Sequence, residues 1–94
     1  MPISSEFAQT VGLRAVGWLA GNDDLLPVFL GATGASEAEF RAGVADPAFQ
    51  GAVLDFILMD DAWVAAFCEA AALDPGVPME ARALLPGGDQ VHWT

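Results

Sequence analysis

Apolar side chains recur along the chain every three or four residues, a pattern that predicts α-helices. Four apolar residues share one face of a first helix that begins at Ser4 or Ser5 and runs to Ala20: Phe7, Val11, Ala15 and Trp18. Strand-forming sequence is scarce, because tyrosine is absent and no segment alternates apolar with polar residues. The sequence therefore predicts an all-α protein.

Polar residues that can accept backbone N–H bonds mark the starts of further helices. The segment SEAE, from Ser36 to Glu39, has the composition of a capping box, and we expect its helix to end near Ala45. Asp46 followed by Pro47 places a cap before a proline at the first helical position. The other predicted starts are Asn22 or Asp23, Asp60, and Pro78.

The apolar segment from Val53 to Met59 predicts the central, most buried helix. Asp60 and Asp61 follow it directly, and two adjacent carboxylates in apolar surroundings could form an acid/base pair or half of a metal site. Both positions also suit a helix start, because Asp60 can cap the next helix and Asp61 meets the positive end of its dipole. Such a cap contributes about 1 kcal/mol. We therefore interpret the pair as a helix start.

The two halves of the chain have similar sequences. WLAGNDDLLPVFL, from Trp18, aligns with FILMDDAWVAAFC, from Phe56, and ASEAEFRA then aligns with LDPGVPMEARA, which places Arg41 over Arg82. A chain of 94 residues supports one core, and two repeats are too few for an open solenoid. We expect residues 1–85 to form a single compact bundle of five or six helices made of two pseudo-repeated halves, and residues 86–94 to form a flexible tail.

Three segments resemble the domain-of-unknown-function family 3572: WLAGNDDLLPVFLGATG, DPAFQGAVLDFILMDDAWVAAFC and ARALLPGG. The resemblance covers the chain from about Val11 to Leu85 and departs near Ala62 and Trp63, where an acidic residue or leucine is expected. It implies a small helical protein of alphaproteobacteria with no assigned activity. No catalytic residue can be transferred from it.

The charge balance excludes several classes of partner. Thirteen acidic residues against three arginines and no lysine give a net charge of -10, which disfavours direct binding to nucleic acid or to an anionic membrane. With 54% hydrophobic and 17% charged residues the chain is not intrinsically disordered. We interpret the acidic charge mainly as a source of solubility, because the carboxylates are scattered along the chain.

The cysteine content and the N-terminus predict a soluble protein in the cytoplasm. Cys68 is the only cysteine, so no intramolecular disulfide can form. The segment MPISSEFAQT lacks the features of a signal peptide, and no apolar run approaches about 20 residues.

Residues that carry chemistry are few. His92 is the only histidine, and Cys68 lies on an apolar helix face without a histidine expected nearby, so we expect no metal site and no thiol nucleophile. No phosphate-binding or nucleophile-elbow motif is present. We therefore expect neither a cofactor nor an enzymatic activity.

Asp55 is the one polar residue within VLDFILM and the best candidate for a special role. Gly51 and Ala52 precede it by one turn and form a small-residue strip that another helix could approach. We favour an ion pair with Arg14, Arg41 or Arg82 that locks the two halves together over a ligand-binding role. The candidate interaction or buried polar positions are Asp55, Arg41, Arg82, Trp63 and Trp93.

Three functions are compatible with the sequence. A domain this small leaves part of its apolar surface exposed, which favours a non-enzymatic protein-interaction module. It either associates with itself as a homodimer or offers an apolar groove between its halves to a segment of an unknown partner protein. A small-molecule binder or enzyme with a pocket between the halves is the second hypothesis. The third is an acidic decoy for nucleic-acid-binding proteins, which requires carboxylates gathered on one face.

Overall fold

The computed structural model describes residues 3–86, which form six α-helices and no strand. The all-α prediction is therefore confirmed. The helices are α1 (Ser5–Ala20), α2 (Leu26–Thr33), α3 (Glu37–Ala42), α4 (Pro47–Ile57), α5 (Asp61–Ala71) and α6 (Val77–Leu84).

Four helices begin where a side-chain oxygen accepts a backbone N–H bond. Ser4 Oγ accepts from Phe7 at α1, and Ser36 and Glu39 exchange both bonds of a capping box at α3. The carboxylates of Asp46 and Asp60 accept backbone bonds at α4 and α5. The interpretation of Asp60 as a helix cap is confirmed by its bond of 2.8 Å from the N–H of Ala62.

The helices α2 and α6 begin without a side-chain cap and instead carry a proline in the first turn. Asn22 accepts N–H bonds from Asp24 and Leu25, so it orders the turn that precedes α2. The helix α3 ends at Ala42, three residues before the predicted end at Ala45, and its last turn is closed by the N–H of Gly43.

The core is built around α1, which packs against α4 and α6 along most of its length and also touches α5. Its buried face consists of Ala8, Val11, Gly12, Ala15, Val16 and Leu19. The predicted face was wrong at Phe7, which is 39% exposed, whereas Trp18 is half-buried and packs against the core. Because α4 and α6 pack on α1, the buried face of α1 is centred on Ala15 and includes Gly12. A pattern of hydrophobic positions does not identify a residue as small as Gly12.

The helix that contains the apolar segment from Val53 to Met59 has the largest buried fraction of the described helices, as predicted, but its predicted end at Met59 needs correction. The helix α4 ends at Ile57, and Met59 is 76% exposed. Leu58 and Met59 form the turn that leads into Asp60, with the N–H of Asp60 donating to the carbonyl of Ile57. Both α1 and α4 contact three other helices, so the two together occupy the centre of the bundle.

Four phenylalanines hold α2 and α3 against α4. The buried ring of Phe29 meets Phe40, Phe49 and Phe56 edge to face, with centroid distances of 5.7, 5.9 and 5.3 Å. Such contacts add about 0.5–1.5 kcal/mol each beyond the burial of area. This aromatic cluster therefore attaches two short helices that have few other contacts with the rest of the core.

The two halves share a helix order, yet the equivalent residues differ in their surroundings. Phe29 and Phe67 are both fully buried, in agreement with the alignment of the halves. Arg41 and Arg82 differ, because Arg41 lies exposed on α3 whereas most of the Arg82 side chain is covered. The pseudo-repeat stays a prediction.

The division into a domain of residues 1–85 and a tail of residues 86–94 also stays a prediction. Pro86 is the last residue that the structure describes, and Val91, His92 and Trp93 lie outside the described residues. Within residues 3–86, no helix is both long enough and apolar enough to cross a lipid bilayer.

Candidate functional site

Asp55 and Arg82 form a bidentate ion pair between α4 and α6. Arg82 Nε donates to Asp55 Oδ1 at 2.6 Å, and Nη2 donates to Oδ2 at 2.9 Å. The remaining terminal nitrogen, Nη1, donates to the carbonyl of Pro86 at 3.0 Å. The Arg82 side chain is only 16% exposed, whereas that of Asp55 is 57% exposed. The solvent-exposed carboxylate of Asp55 therefore holds a largely covered guanidinium in place.

Gly51 makes room for this ion pair. A Cβ atom at Gly51 would lie 2.7 Å from Arg82 Nη1 and 3.3 Å from the carbonyl oxygen of Pro86. The small residues Gly51 and Ala52, one turn before Asp55, therefore let α6 approach α4 closely. The sequence predicted that another helix could approach here. Both partners of the pair belong to the second half, so the prediction that Asp55 locks the two halves together was wrong.

The other candidate residues do not join Asp55 and Arg82 in one site. Arg41 forms an exposed ion pair with Glu37 one turn away, at 3.7 Å, a kind of contact that contributes little to stability. Trp63 is half-buried and stacks on Phe56 with the ring centroids 4.7 Å apart. Trp93 lies outside the described residues. The Asp55–Arg82 pair thus has a structural role that its geometry explains without a ligand.

A concave surface between α1 and α5 is the best candidate for a binding site. It has a volume of about 390 Å³ and is lined by Arg14, Trp18, Phe67, Ala70, Ala71 and Ala72, a set that we call the α1/α5 groove. Trp18 packs against Phe67 with the ring centroids 5.7 Å apart. The three alanines have short side chains, so they leave space in the part of the groove that they line. The result is an apolar hollow that opens to solvent.

Arg14 is the one charged side chain of the α1/α5 groove. Its Nη1 donates to the carbonyl of Ala71 at 3.1 Å. The last turn of α5 contains no basic residue, so Arg14 supplies from α1 the positive charge that favours a helix C-terminus. Within the part of the chain that the structure describes, Arg14 forms no ion pair with a carboxylate, unlike Arg41 and Arg82.

The end of α5 shapes one edge of the α1/α5 groove. Ala72 adopts a left-handed conformation with φ 57° and ψ 48°, which is rare for a residue other than glycine. The N–H of Leu73 then donates to the carbonyl of Cys68 at 2.9 Å. The chain therefore turns sharply after Ala71 and leaves the groove open at this end.

A second hollow, of about 310 Å³, lies beside α1 and the start of α4, and we call it the α1/α4 hollow. Its lining is more polar: Glu6, Gln9, Thr10, Leu13, Ala45 and Gln50. Gln50 is 4% exposed and donates through Nε2 to the carbonyl of Val44, whereas its Oε1 has no hydrogen-bond partner among residues 3–86. That oxygen faces the backbone of Gly12, where a Cβ atom would lie 2.8 Å away. It therefore faces the contact between α1 and α4.

Cys68 lies on the buried face of α5 and is unsuited to nucleophilic chemistry. Its thiol donates a weak hydrogen bond to the carbonyl of Asp74, with 3.6 Å between sulfur and oxygen. Burial, and then the negative charge of Asp74, raise the pKa of the Cys68 thiol. Between Ile3 and Pro86 no group of three or more potential metal-ligating side chains comes together.

Sequence reasoning proposed an apolar groove between the halves but did not identify the residues that line the α1/α5 groove. It treated Trp18 as a core residue and Arg14 only as a possible partner of Asp55. The one local indication was the run of alanines from Ala70 to Ala72, which leaves space wherever a larger residue faces it. The opposition of that run to Trp18 depends on tertiary packing.

The helices and the α1/α5 groove define a small helical bundle with an open apolar surface. A family model described as "Protein of unknown function (DUF3572)" matches residues 5–88, so the chain belongs to this family and the resemblance seen in the sequence is confirmed. Neither the comparison with curated proteins nor that with solved structures finds a match.

Proposed function

We propose that the protein is a non-enzymatic interaction module that binds an apolar segment of a partner protein in the α1/α5 groove. The observation that carries this proposal is the groove itself, an apolar hollow at the protein surface that is lined by Trp18, Phe67 and three alanines. Burial of one large apolar side chain in such a hollow contributes about 1.5–3 kcal/mol.

The shape of the groove favours a protein segment over a small substrate. Sites for small molecules bury most of the ligand surface and place several polar groups around it. The α1/α5 groove is open and offers the single charged group of Arg14. The raised pKa of the Cys68 thiol keeps the most reactive sulfur protonated near neutral pH, which gives no support to covalent catalysis.

The acidic decoy hypothesis receives less support from the positions of the carboxylates. Asp46 and Asp60 cap α4 and α5, and Glu39 takes part in the capping box of α3. Because these carboxylates are placed by the helix starts, they are spread over the chain. A lone cysteine supports the further proposal of a reducing, cytoplasmic location in a bacterium.

The proposal is tested by closing the groove. Ala70 is exposed and lines the groove, so Ala70→Phe fills the hollow without removing a core contact. Ala65, also exposed on α5, lies outside the groove lining, and Ala65→Phe is the matched control. Each variant, immobilised beside the wild type, captures proteins from bacterial lysate, and the bound proteins are washed at low and high salt and identified by mass spectrometry.

A protein retained at high salt by the wild type and by Ala65→Phe, and lost with Ala70→Phe, is the expected result. If all three forms capture the same proteins, the α1/α5 groove is not the binding site and the proposal is wrong. Sedimentation of the purified protein examines self-association in parallel, because a homodimer that forms through the groove is disrupted by the same substitution.

A further inference from the structure

We infer that the α1/α5 groove recognises the C-terminal end of a partner polypeptide, with a large apolar side chain in the hollow and the terminal carboxylate on Arg14. This inference rests on the proposed function and names the chemistry of the partner. It follows from the charge of Arg14, from its position in the groove and from the open shape of the hollow.

The charge of Arg14 is unusual in its setting. The chain has thirteen acidic residues and three arginines, and two of the arginines pair with Glu37 and Asp55. Arg14 instead donates to a neutral carbonyl, and among residues 3–86 no carboxylate lies within ion-pair distance of it. A guanidinium has five N–H donors and matches a carboxylate in a two-point contact, so the donors not used by Ala71 suit a carboxylate from outside.

The position of Arg14 limits where that carboxylate can lie. Arg14 lines the same hollow as Trp18 and Phe67, so a ligand that fills the hollow and reaches the guanidinium has its apolar group and its negative charge side by side. The last residue of a polypeptide has this arrangement, because its side chain and its carboxylate are attached to the same Cα atom. An internal glutamate or aspartate reaches Arg14 only if the fold of the partner happens to place it next to the apolar residue.

The open shape of the groove indicates a polypeptide as the source of the carboxylate. The hollow of about 390 Å³ accepts one large side chain, and its open side lets the preceding residues of the partner continue over the protein surface. A free apolar acid gains affinity mainly from enclosure, which this hollow does not offer. The carbonyl of Ala71 uses one donor of Arg14 Nη1, so the carboxylate binds the donors of Arg14 that remain.

The first experiment compares two probes that differ in one charge. N-acetyltryptophan carries the carboxylate of a C-terminal residue, and N-acetyltryptophanamide is its neutral counterpart. Each is titrated to about 10 mM into the ¹⁵N-labelled protein, and the shifts of backbone amide signals yield Kd values. We expect the acid to bind about fivefold more tightly than the amide, with shifts at the residues of the α1/α5 groove.

Three variants assign the difference to the groove. Arg14→Gln keeps a donor for the carbonyl of Ala71 and removes the charge, so the acid and the amide are expected to bind equally. Arg14→Lys keeps the charge without the planar fork and is expected to recover part of the difference. Ala70→Phe is expected to abolish binding of both probes, and thermal melts of each variant show that the fold is intact.

A second pair of probes distinguishes the source of the carboxylate. The tetrapeptide acetyl-Gly-Gly-Gly-Trp, with a free C-terminus, is expected to bind at least as tightly as N-acetyltryptophan and more tightly than decanoate. Tighter binding of decanoate identifies a free apolar acid as the ligand and overturns the inference. Equal binding of acid and amide by the wild type, or the absence of any shift, also overturns it.

These results remain separate from the test of the proposed function. If the protein binds the acid and the amide equally, and Ala70→Phe still fails to capture a protein that the wild type captures, the groove binds an apolar segment without recognising a carboxylate. If Ala70→Phe changes neither capture nor probe binding, both the proposed function and this inference are wrong.

Discussion

Small residues have opposite effects on the two sides of α1: on one side they allow close packing, and on the other they leave a groove. On the flank that meets α4 and α6, Gly12 lies so close to Gln50 and Leu85 that a Cβ atom would approach their side chains to 2.8 and 3.2 Å. On the flank that meets α5, the small residues from Ala70 to Ala72 face Trp18 across an open hollow. Small residues bring helices together only where a side chain from the neighbouring element fills the space, and elsewhere they leave a groove.

The arginines of the two flanks show the same contrast. Arg82 lies across Gly51, largely covered and bonded to both carboxylate oxygens of Asp55. Arg14, at the edge of the α1/α5 groove, is exposed and donates to a backbone carbonyl. The geometry around Arg82 accounts for the stability of a helix contact, whereas that around Arg14 leaves donors that face solvent.

Gly12→Ala is expected to have the largest effect on the closed flank. The added methyl group lies within 3 Å of both Cβ and Oε1 of Gln50, which is itself held by its bond to the carbonyl of Val44. The resulting overpacking is expected to lower the free energy of unfolding by about 1–3 kcal/mol. Chemical denaturation with urea measures the change.

Gly17→Ala is the matched control on the same helix. Apart from its chain neighbours and the nearby backbone of α1, nothing lies within 4 Å of a Cβ atom at Gly17. The higher helix propensity of alanine is therefore expected to raise stability by about 0.5–1 kcal/mol. Opposite signs for the two substitutions support the close contact at Gly12. Stabilisation by both would show that α1 and α4 are farther apart than described.

Asp55→Asn is expected to have the second largest effect. The substitution keeps the size of the side chain and removes the charge that anchors Arg82, so we expect a loss of about 1 kcal/mol after allowance for the exposure of Asp55. In a domain of this size that loss lowers Tm by roughly 4–8 °C. Calorimetry or thermal circular dichroism measures it.

Glu37→Gln provides the comparison for Asp55→Asn. Glu37 pairs with Arg41 on the surface of α3, and the loss of that pair is expected to change stability by about 0.5 kcal/mol or less. If the Tm of Asp55→Asn is as high as that of Glu37→Gln, the covered ion pair contributes no more to stability than the exposed one.

The smallest expected effect concerns the buried side of α5. Because the pKa of Cys68 is raised in the folded protein, the unfolded chain loses its thiol proton first as the pH rises. The corresponding stability is complete below the pKa of a free thiol, about 8.5, and declines as the pH rises through the higher pKa of the folded protein. Urea denaturation near pH 7 and at about pH 9.5 is expected to show a smaller decline in Cys68→Ala than in the wild type.

Equal declines for the wild type and Cys68→Ala would mean that the thiol is as accessible in the folded protein as in the unfolded chain. The α1/α5 groove would then extend beneath α5, and the contrast between the two flanks of α1 would be larger than the described structure indicates.

Local features of the chain were predictable from the sequence. The starts of α1, α3, α4 and α5 depend on a polar side chain and backbone groups two or three residues away, so Ser4, Ser36, Asp46 and Asp60 could be assigned as caps. The small-residue strip beside Asp55 was predictable for the same reason, because Gly51 lies one helical turn away.

Features that depend on distant parts of the chain were not predictable from one sequence. The partner of Asp55 could be any of three arginines until the approach of α6 selected Arg82. The exposed position of Phe7 and the inclusion of Gly12 in the buried face follow from the way α4 and α6 pack on α1. The α1/α5 groove requires Trp18 and the alanines of α5 to face each other, which no local pattern specifies.

The helix caps also have a consequence for the speed of folding. Four of the six described helices begin at contacts that close only a few residues of chain, so these turns can form before any long-range contact exists. The helices α2 and α6 lack such caps and depend on packing for their order. Helical proteins with mainly local contacts fold in microseconds to milliseconds. The contact of Gly12 with Leu85 closes a much longer loop, and we expect the encounter of α1 with the end of α6 to be the slow step of folding.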